Sequence, residues 1–529
     1  MIGLAVISAA GALISSYFSA RVGTNFSRDI RKAIFIKIIN FNILDLKDFS
    51  TASLITRTTN DVGQVQMATV MMLSMLIRAP LFLVISIIMA ISTAPDMSWI
   101  ILVGSVSILG SVIMIMSIVM PKFKIFQNLI DKITLLTREN LTGLRVIRAF
   151  NNEKLEKKKF IRTNDKLTKL LIFIDRIMEL QNPLINIIFN GTTLLCSWIG
   201  ISLLSKDFSY LGNMTAFAQY VGHVMISFLM LSIFFVILPR ANVSAGRINE
   251  VLGGDPKIHW REKTNGVPEN KVSVEFKNVD FKYPGAEEKI LDNISFRAEA
   301  GETTAFIGST GSGKSTLINL VPRFYEATSG EILVNGVSVR DYAKDDLMKR
   351  IGLVPQRGVL FSGTVKSNIK FGAPNASDKQ MRKAAEIAQA TNFIEKLPGR
   401  FNAHISRGGT NISGGQKQRI SIARAICKNP DIYIFDDSFS ALDMKTDKKL
   451  RESLKEVTEN SAVLIVAQRI STVKNAGQII VLNNGKIVGK GKHLELLSKC
   501  EVYREIVKSQ LSEKEYAQEL RLAERSSDA

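Results

Sequence analysis

A glycine-rich loop in the second half of the chain has residue types and spacing that suit phosphate binding. It reads GSTGSGKS from Gly308 to Ser315 and follows TTAFIG, a run typical of a buried strand. Glycines let backbone N–H groups converge on phosphate oxygens, and the positive end of the following helix adds to the attraction. Lys314 is expected to reach the β- and γ-phosphates of a nucleotide, and Ser315 to bind Mg²⁺. The candidate residues are Gly308, Ser309, Thr310, Gly311, Ser312, Gly313, Lys314, Ser315 and Thr316.

A second apolar run ends in a carboxylate. Ile432–Asp436 reads IYIFD, the pattern of a buried strand. Any buried strand can end in Asp, so the run says little alone, but after the glycine-rich loop it predicts that Asp436 binds magnesium through water. Tyr283, in FKYP, has two interpretations. It stacks on an adenine base, or it is a packed strand aromatic.

A third segment, NISGGQKQR, opens a helix with several exposed N–H donors. It runs from Asn411 to Arg419, and its candidate binding residues are Ser413, Gly414, Gly415 and Gln416. Such a helix start can receive a phosphate, yet the loop around Lys314 already wraps the chain's own nucleotide. We therefore expect the nucleotide of a second subunit here, sandwiched between two copies of the domain. The alternative is an ordinary glycine-capped helix.

The first half of the chain is apolar enough to cross a membrane repeatedly. A helix needs about 20 apolar residues to span a bilayer. Arg78 is the single charge within the five stretches of that kind. It either lines a translocation path or lies at the inner membrane surface. The stretches are Met1–Ala20, Met67–Ala94, Met97–Met120, Leu184–Leu204 and Met214–Leu238.

The formal net charge of +20 fits membrane topology better than nucleic-acid binding. Lys and Arg concentrate in the segment from Lys122 to Arg176 and around Arg28, whereas the short connections near Pro95 and Ser205–Asn213 hold one cation. Cations favour cytoplasmic loops, and aromatic residues do not alternate with basic ones as in nucleic-acid binders. The three cysteines have no metal-like or disulfide-like spacing.

Composition and periodicity divide the chain into four parts. We expect a helical membrane domain at 1–245, whose long loops are cytoplasmic extensions of its helices, and a linker at 246–270. An α/β domain follows at 271–510, with Asn-Gly hairpins in EILVNGVSV and IIVLNNGKIVGKG and helix over Asp378–Leu397. The charged tail 511–529 is expected to be helical and solvated.

The motifs together resemble those of ABC transporters. The glycine-rich loop, GLVPQ, ISGGQ, IYIFDD, SALD and AQRISTV occur in the order and spacing of an ABC ATP-binding domain of the P-loop α/β class. STASLITRTTNDVGQVQ and ENLTGLRVIRAFNNE resemble the first and second intracellular loops of the exporter membrane domain. The resemblance is to bacterial multidrug-type half-transporters of the plasma membrane. Their membrane domain has six helices, so the first one is expected to be missing here.

The resemblance implies ATP and Mg²⁺ as ligands and assigns further roles. It implies that Tyr283 stacks adenine and that Gln356 contacts the magnesium and the membrane-domain side. It implies that Ser413 and Gly415 complete a partner's site, and that Asp443 communicates across the interface.

Two residues depart from the family pattern. Asp437 stands where the family usually has a Glu general base, and Gln468 stands where it has a switch His. Asp is one methylene shorter than Glu, and Gln cannot become cationic. Since a positioned base is worth about 10²–10⁴ in rate, we expect this chain to bind ATP well and hydrolyse it poorly. The intact ISGGQ segment then predicts a heterodimer whose partner retains Glu and His.

The function this predicts is ATP-driven outward transport of a hydrophobic or amphipathic substrate, whether drug, lipid or peptide. The alternative is a regulatory or structural ATP-binding subunit without transport activity of its own.

Overall fold

The structure is a computed structural model that describes residues 2–204, 210–264, 266 and 273–527. The chain forms two compact units. The helical unit comprises Met1–Asn40 and Phe49–Asp255, and the α/β unit comprises Phe41–Asp48 and Pro256–Ala529. The short segment Phe41–Asp48 therefore packs with the second half of the chain, although it lies within the first.

Long helices build the helical unit. Five of them, within the described residues, are long and apolar enough to cross a membrane, which confirms the number of predicted spans. Two turns, Arg57–Asp61 and Met72–Leu76, are π-helical, and Pro95–Met97 is a 3₁₀ turn. The first ten α-helices, of which α2 belongs to the α/β unit, are α1 Ile2–Asn40, α2 Ile43–Lys47, α3 Thr51–Thr56, α4 Val62–Met71, α5 Arg78–Thr93, α6 Ser98–Thr142, α7 Leu144–Ala149, α8 Glu153–Glu179, α9 Gln181–Leu204 and α10 Tyr210–Leu252.

The helices continue well beyond the length of a bilayer, as the sequence predicts. Helix α6 has 45 residues, so at about 1.5 Å per residue it is roughly 68 Å long, twice the hydrocarbon thickness of about 30 Å. Helix α10 continues to Leu252, beyond the predicted domain end at 245. Its last turns remain helical because Ala241, Ser244, Ile248 and Val251 are buried on one face at helical spacing.

Polar contacts hold the end of α10 against the π-helical turn. The buried carboxylate of Asp61 accepts a hydrogen bond from Ser244 Oγ at 2.9 Å, and Arg247 lies 3.8 Å from it. Arg57 forms an ion pair with Glu250 at 2.7 Å. A buried carboxylate needs such partners, so these contacts fix the register of the two helices outside the apolar part.

Three sheets build the α/β unit. The six-stranded sheet has the order β12-β11-β3-β10-β9-β6, and all its strands are parallel except β12. A four-stranded antiparallel sheet has the order β2-β1-β4-β5, and β7 pairs with β8. The strands are β1 Ser273–Phe281, β2 Leu291–Glu299, β3 Thr303–Gly308, β4 Ser329–Val334, β5 Val337–Ser338, β6 Ile351–Val354, β7 Gly363–Thr364, β8 His404–Ile405, β9 Ile432–Asp436, β10 Ala462–Val466, β11 Gln478–Asn483 and β12 Lys486–Gly491.

Both Asn-Gly hairpins predicted from the sequence are present, as β4–β5 and β11–β12. Helices cover the faces of the parallel sheet because its central strands are apolar on both sides. The helices of this part of the chain are α11 Lys314–Leu320, α12 Lys344–Arg350, α13 Val365–Ile369, α14 Asp378–Ile387, α15 Thr391–Ile394, α16 Gly414–Lys428, α17 Met444–Thr458, α18 Ile470–Val473, α19 His493–Lys499, α20 Glu501–Gln510 and α21 Glu513–Ser527.

The prediction that the tail is solvated is wrong for one face of α21. Ala523 is buried, and Tyr516 packs against the core cluster that contains Leu497 and Val507. Charged residues dominate the sequence of this helix, so its narrow apolar face is easily overlooked. The tail is therefore an integral layer of the α/β unit.

Strand β9 lies at the centre of the core, and its truncation tests this packing. Ile434 is fully buried, so Ile434→Ala should lower the free energy of unfolding by about 2–5 kcal/mol. Met444→Ala is the control, since Met444 is 74% exposed. Thermal unfolding of the full chain in detergent measures both. Equal midpoints for the two variants would contradict this placement of β9.

Candidate functional site

Strand β3 runs directly into the glycine-rich loop, and α11 begins at Lys314. Gly313 has φ +96°, and a Cβ added there would lie 2.7 Å from Leu291 Cδ2. Only glycine fits this left-handed and crowded position without strain. The loop consequently folds back on itself, and Ser312 and Lys314 are buried while Ser309, Thr310 and Gly311 are exposed.

The ammonium group of Lys314 points into the curl of this loop. Its Nζ donates to Gly308 O at 2.9 Å, Ser309 O at 2.6 Å and Ser312 Oγ at 3.2 Å. Burial lowers the pKa of Lys314, and the carboxylates of Asp437 and Asp436 act in the opposite direction. A largely buried cation whose partners are mostly neutral carbonyls is well suited to an anionic ligand.

Ser315 and Asp436 meet at the end of β9. Ser315 Oγ donates to Asp436 Oδ1 at 2.9 Å. Burial raises the pKa of Asp436, neighbouring Asp437 raises it further, and the hydrogen bond from Ser315 lowers it. Mg²⁺ prefers oxygen ligands and keeps several waters, so a hydroxyl and a carboxylate at this spacing fit it. Among the described residues no cluster of three or more His, Cys, Asp or Glu could hold a metal.

Asp437 is buried beside this pair and receives two side-chain amides. Its Oδ2 accepts hydrogen bonds from Gln356 Nε2 at 3.3 Å and from Gln468 Nε2 at 3.2 Å. The backbone of Asp437 is left-handed, with φ +45°, and its N–H donates to Val466 O at 2.9 Å. Burial raises the pKa of Asp437. The structure thus brings together all three residues for which the sequence predicts catalytic roles.

A cavity of 340 Å³ contains most of the predicted nucleotide residues. Its walls include Tyr283, whose hydroxyl lies 3.0 Å from Thr316 Oγ1. The ring of Tyr283 also packs edge-on against Phe281 and Tyr325, at 4.8 Å and 5.3 Å between centroids. The lining residues are Tyr283, Ile290, Thr310, Gly311, Gly313, Lys314, Ser315, Thr316, Gln356, Asp436, Asp437, Val466 and Gln468.

The segment Asn411–Arg419 does not line this cavity, all its residues being described. Ser413 caps α16 by accepting from Gln416 N at 3.4 Å, while Gln416 Oε1 accepts from Ser413 N at 3.0 Å. Ser413 and Gly414 are exposed. Asp443 caps α17 in the same way, accepting from Thr446 N at 2.9 Å. These residues present helix starts to the surface.

Gln418 is a residue whose importance the sequence analysis missed. It is buried in α16, where its Nε2 donates to Pro355 O at 3.1 Å and its Oε1 accepts from Gly358 N at 3.0 Å. It therefore holds both sides of the loop that carries Gln356. Its spacing to Ile422 and Ile426, four and eight residues on, places a polar residue on the apolar face of the helix, and this signal could have found it.

The segment Phe41–Asp48, which contains α2, is hydrogen-bonded to Lys257 and Ile258, near the start of the second part of the α/β unit. Asp45 Oδ1 accepts from Lys257 N at 3.1 Å, and Asn42 Nδ2 donates to Ile258 O at 3.3 Å. Leu44 packs against the core cluster formed by β1 and α11, as does Trp260. The segment Phe41–Asp48 is thus an integral part of the phosphate-binding half of the α/β unit.

Arg78 lies at the start of α5 and contacts Phe82 of the same helix, whose ring in turn contacts α10. Its guanidinium lies over the ring of Phe82 at 5.1 Å, and that ring is 5.7 Å from the imidazole of His223. The π-helical turn Met72–Leu76 precedes it. Both predicted alternatives for Arg78 remain open.

Comparison with known proteins supports the interpretation of both halves. The family profile described as ABC transporter transmembrane region matches residues 1–228, and that described as ABC transporter matches residues 291–440. A protein of Mycobacterium tuberculosis named as an uncharacterized ABC transporter ATP-binding protein is 39% identical over 513 residues, covering 96% of this chain and 87% of that protein. A protein of Bacillus subtilis with the same description is 36% identical over 512 residues, covering 96% and 88%.

Two further similarities concern a named activity and a solved structure. The ATP-dependent lipid A-core flippase of Desulfotalea psychrophila is 32% identical over 507 residues, covering 94% of this chain and 87% of the flippase. A bacterial Atm1-family ABC exporter with ATP bound has a TM-score of 0.79 at 23% identity, covering 93% of this chain and 86% of its own. At that identity the exporter structure shows a shared fold.

Replacing Tyr283 tests its interpretation as a base-stacking residue. Tyr283→Ala should weaken ATP binding roughly 5- to 150-fold, since base stacking is worth about 1–3 kcal/mol. Tyr283→Phe keeps the ring, so it should lose only the hydrogen bond to Thr316 and less than about tenfold in affinity. Titration of the full chain with a fluorescent ATP analogue measures both. Unchanged ATP affinity of Tyr283→Ala would contradict adenine stacking. The ring would then serve only to pack against Phe281 and Tyr325.

Replacing Asp437 tests the electrostatics of the site. Because burial raises its pKa, the folded protein holds the proton of Asp437 more tightly than the unfolded chain does, and stability falls as pH rises from the unfolded pKa through the folded one. Asp437→Asn should therefore raise the melting temperature of the nucleotide-free chain at pH 7.5, and this gain should shrink toward pH 4–5.

Asp443→Asn is the control for this experiment. Hydrogen bonds from Thr446 lower the pKa of Asp443, so its replacement should not raise the melting temperature at pH 7.5. Differential scanning fluorimetry over the pH range separates the two variants. A melting temperature of Asp437→Asn below that of the wild type at pH 7.5 would contradict the assigned environment.

Proposed function

Because this chain belongs to the ABC transporter family, with a transmembrane domain and an ATP-binding domain in one polypeptide, we propose that it is the degenerate subunit of a heterodimeric exporter. It is a multi-pass membrane protein whose ATP-binding domain lies in the cytoplasm, and its family couples ATP hydrolysis to transport. What is proposed is the division of labour between this chain and its partner. The observation that carries the proposal is the environment of Asp437.

The chain's own pocket is proposed to bind Mg²⁺-ATP. The backbone of the glycine-rich loop and Lys314 hold the phosphates, and Tyr283 stacks on the adenine. Ser315 and Asp436 would hold the magnesium, with Gln356 as a further ligand. The 2.9 Å contact between Ser315 and Asp436 and the buried ammonium of Lys314 support this assignment. Bound magnesium would neutralise phosphate charge and orient the terminal phosphate.

The same pocket is proposed to hydrolyse ATP slowly. The Asp437 carboxylate receives amides from Gln356 and Gln468 on one oxygen, so both neighbours stabilise it in place. Its side chain is one methylene shorter than the usual Glu, which leaves the oxygen farther from an attacking water. Gln468 donates a neutral hydrogen bond and cannot supply positive charge to the terminal phosphate. Binding is therefore retained while water activation is impaired.

The partner's nucleotide is proposed to lie against the start of α16. Ser413 and Gly414 are exposed and stand apart from the chain's own cavity, while the capping box keeps the helix start in order. Helix starts attract phosphate through their unpaired N–H groups and dipole. A partner with Glu and His at the two altered positions would then hydrolyse its ATP here, with Asp443 at the shared boundary.

ATP-driven closure of the two ATP-binding domains is proposed to move substrate outward. The segment Phe41–Asp48 is bonded to Lys257 and Ile258 within the α/β unit and follows α1 along the chain, so we propose that it transmits this movement to the membrane helices. The apolar membrane helices support a hydrophobic or amphipathic substrate, which is a drug, a lipid or a peptide. The relative named as a lipid A-core flippase supports the lipid class. The alternative of a regulatory subunit without transport rests on the altered Asp437 and Gln468.

ATPase measurements on the chain alone and with its partner test the proposal. In lipid nanodiscs the chain alone should turn over ATP slowly, because a positioned base is worth about 10²–10⁴ in rate. In the pair, Ser413→Ala should reduce turnover strongly and Asp437→Asn should change it little. Rapid turnover by the chain alone would contradict the degenerate assignment. If the pair instead binds ATP while no drug, lipid or peptide substrate stimulates its ATP turnover, that result would favour the alternative of a regulatory subunit.

A further inference from the structure

The switch segment from Gln468 to Lys474 is held by the C-terminal helices as well as by the sheet. Gln510, the last residue of α20, uses both atoms of its side-chain amide. Its Nε2 donates to Gln468 O at 2.7 Å, and its Oε1 accepts from Ile470 N at 2.9 Å. One amide therefore spans the turn between β10 and α18.

This contact supplies a hydrogen-bond acceptor that the switch segment itself lacks at the start of α18. Ile470 is the first residue of α18, so its N–H has no partner within the helix. A capping side chain with an oxygen would normally accept from the first turn, but the capping position is Arg469, which makes no such bond and has no acceptor atom. Gln510 provides the acceptor from a different helix, 40 residues further along the chain.

The helix that carries Gln510 is itself firmly placed. Tyr503 and Val507 of α20 are fully buried, and the hydroxyl of Tyr503 lies 2.7 Å from His493 Nδ1. Glu519 of α21 reaches both His493 Nε2, at 3.3 Å, and Lys474 Nζ, at 3.4 Å. The C-terminal helices thus contact the switch segment at its first and last residues.

We infer that Gln510 is a positioning residue for Gln468 and makes the C-terminal helices part of the nucleotide-sensing apparatus. A hydrogen bond to the backbone of Gln468 restricts the direction in which its side chain leaves the strand end. That side chain donates to Asp437 Oδ2 at 3.2 Å and lines the nucleotide cavity. The inference rests on the proposed function, in which Gln468 occupies the position that senses the terminal phosphate.

The consequence is a preference for ATP over ADP that depends on Gln510. Gln510→Ala removes both bonds and should weaken ATP binding about 3- to 10-fold, the worth of roughly one hydrogen bond, while ADP binding stays unchanged. Gln510→Glu keeps an acceptor for Ile470 but loses the donor to Gln468, so it should show the same loss. Ser509→Ala is the matched control, because Ser509 precedes Gln510 in α20 and its hydroxyl donates to Ile506 O of the same helix at 2.8 Å.

A double-variant cycle on the full chain separates positioning from a merely structural role. If Gln510 acts through Gln468, then Gln510→Ala should cause no further loss of ATP affinity in a Gln468→Ala background. Titration with ATP and with ADP gives the affinity ratio, and thermal unfolding of each variant checks that it is folded. An ATP-to-ADP ratio equal to that of Ser509→Ala, or additive losses in the double variant, would overturn the inference.

Titration of Tyr283→Ala and Lys314→Ala alongside the wild type keeps this test distinct from that of the proposed function. ATP binding that depends on Tyr283 and Lys314 but not on Gln510 leaves the proposed function intact and removes the role of Gln510. ATP binding that is insensitive to Tyr283 and Lys314 removes both.

Discussion

The parallel alignment of β3, β10 and β9 is the constraint on which the site depends. These neighbouring strands end at one edge of the sheet, so the glycine-rich loop, the switch segment and the paired Asp436 and Asp437 meet there. No single strand carries the chemistry. Sheet register decides that Ser315 reaches Asp436 and that Gln468 reaches Asp437, over more than a hundred residues of sequence in the first case.

The electrostatics at this edge explain why binding and hydrolysis can separate in one pocket. Burial disfavours the charged forms of Lys314, Asp436 and Asp437 together, as the directions of their pKa shifts indicate. In a magnesium nucleotide the phosphates are negative and compensate Lys314, and the magnesium is positive and compensates the two carboxylates. The buried charges therefore favour binding of the nucleotide. In the proposed function, water activation is impaired because Asp437 is one methylene shorter than Glu and Gln468 cannot become cationic. The exposed surface around Ser413 lies outside this cavity, and the proposed division of labour between two chains rests on that separation.

Much of this could be predicted from the sequence, because the decisive signals are local. The glycine spacing around Lys314, the apolar run before Asp436 and the long apolar stretches predicted strand, loop and membrane helices, and family resemblance linked them. Long-range polar contacts could not be predicted. The bonds from Asp45 to Lys257 and from Gln510 to Ile470 depend on tertiary packing that leaves no periodic trace. The helical spacing of Gln418 marks it as a buried polar residue, but the spacing does not identify Pro355 and Gly358 as its partners. The buried face of α21 escaped notice because a single small residue, Ala523, and one aromatic, Tyr516, define it.

The central claim is that another subunit's nucleotide binds against the start of α16. Cryo-electron microscopy of the assembly purified from its native membrane and trapped with Mg²⁺ and a non-hydrolysable ATP analogue tests it most directly. Two unlike chains and two analogue molecules are expected. One should be wrapped by the loop of Lys314, and the other should be bound by the partner with its terminal phosphate beside Ser413. Two identical copies of this chain, or a Ser413 remote from any triphosphate, would contradict it.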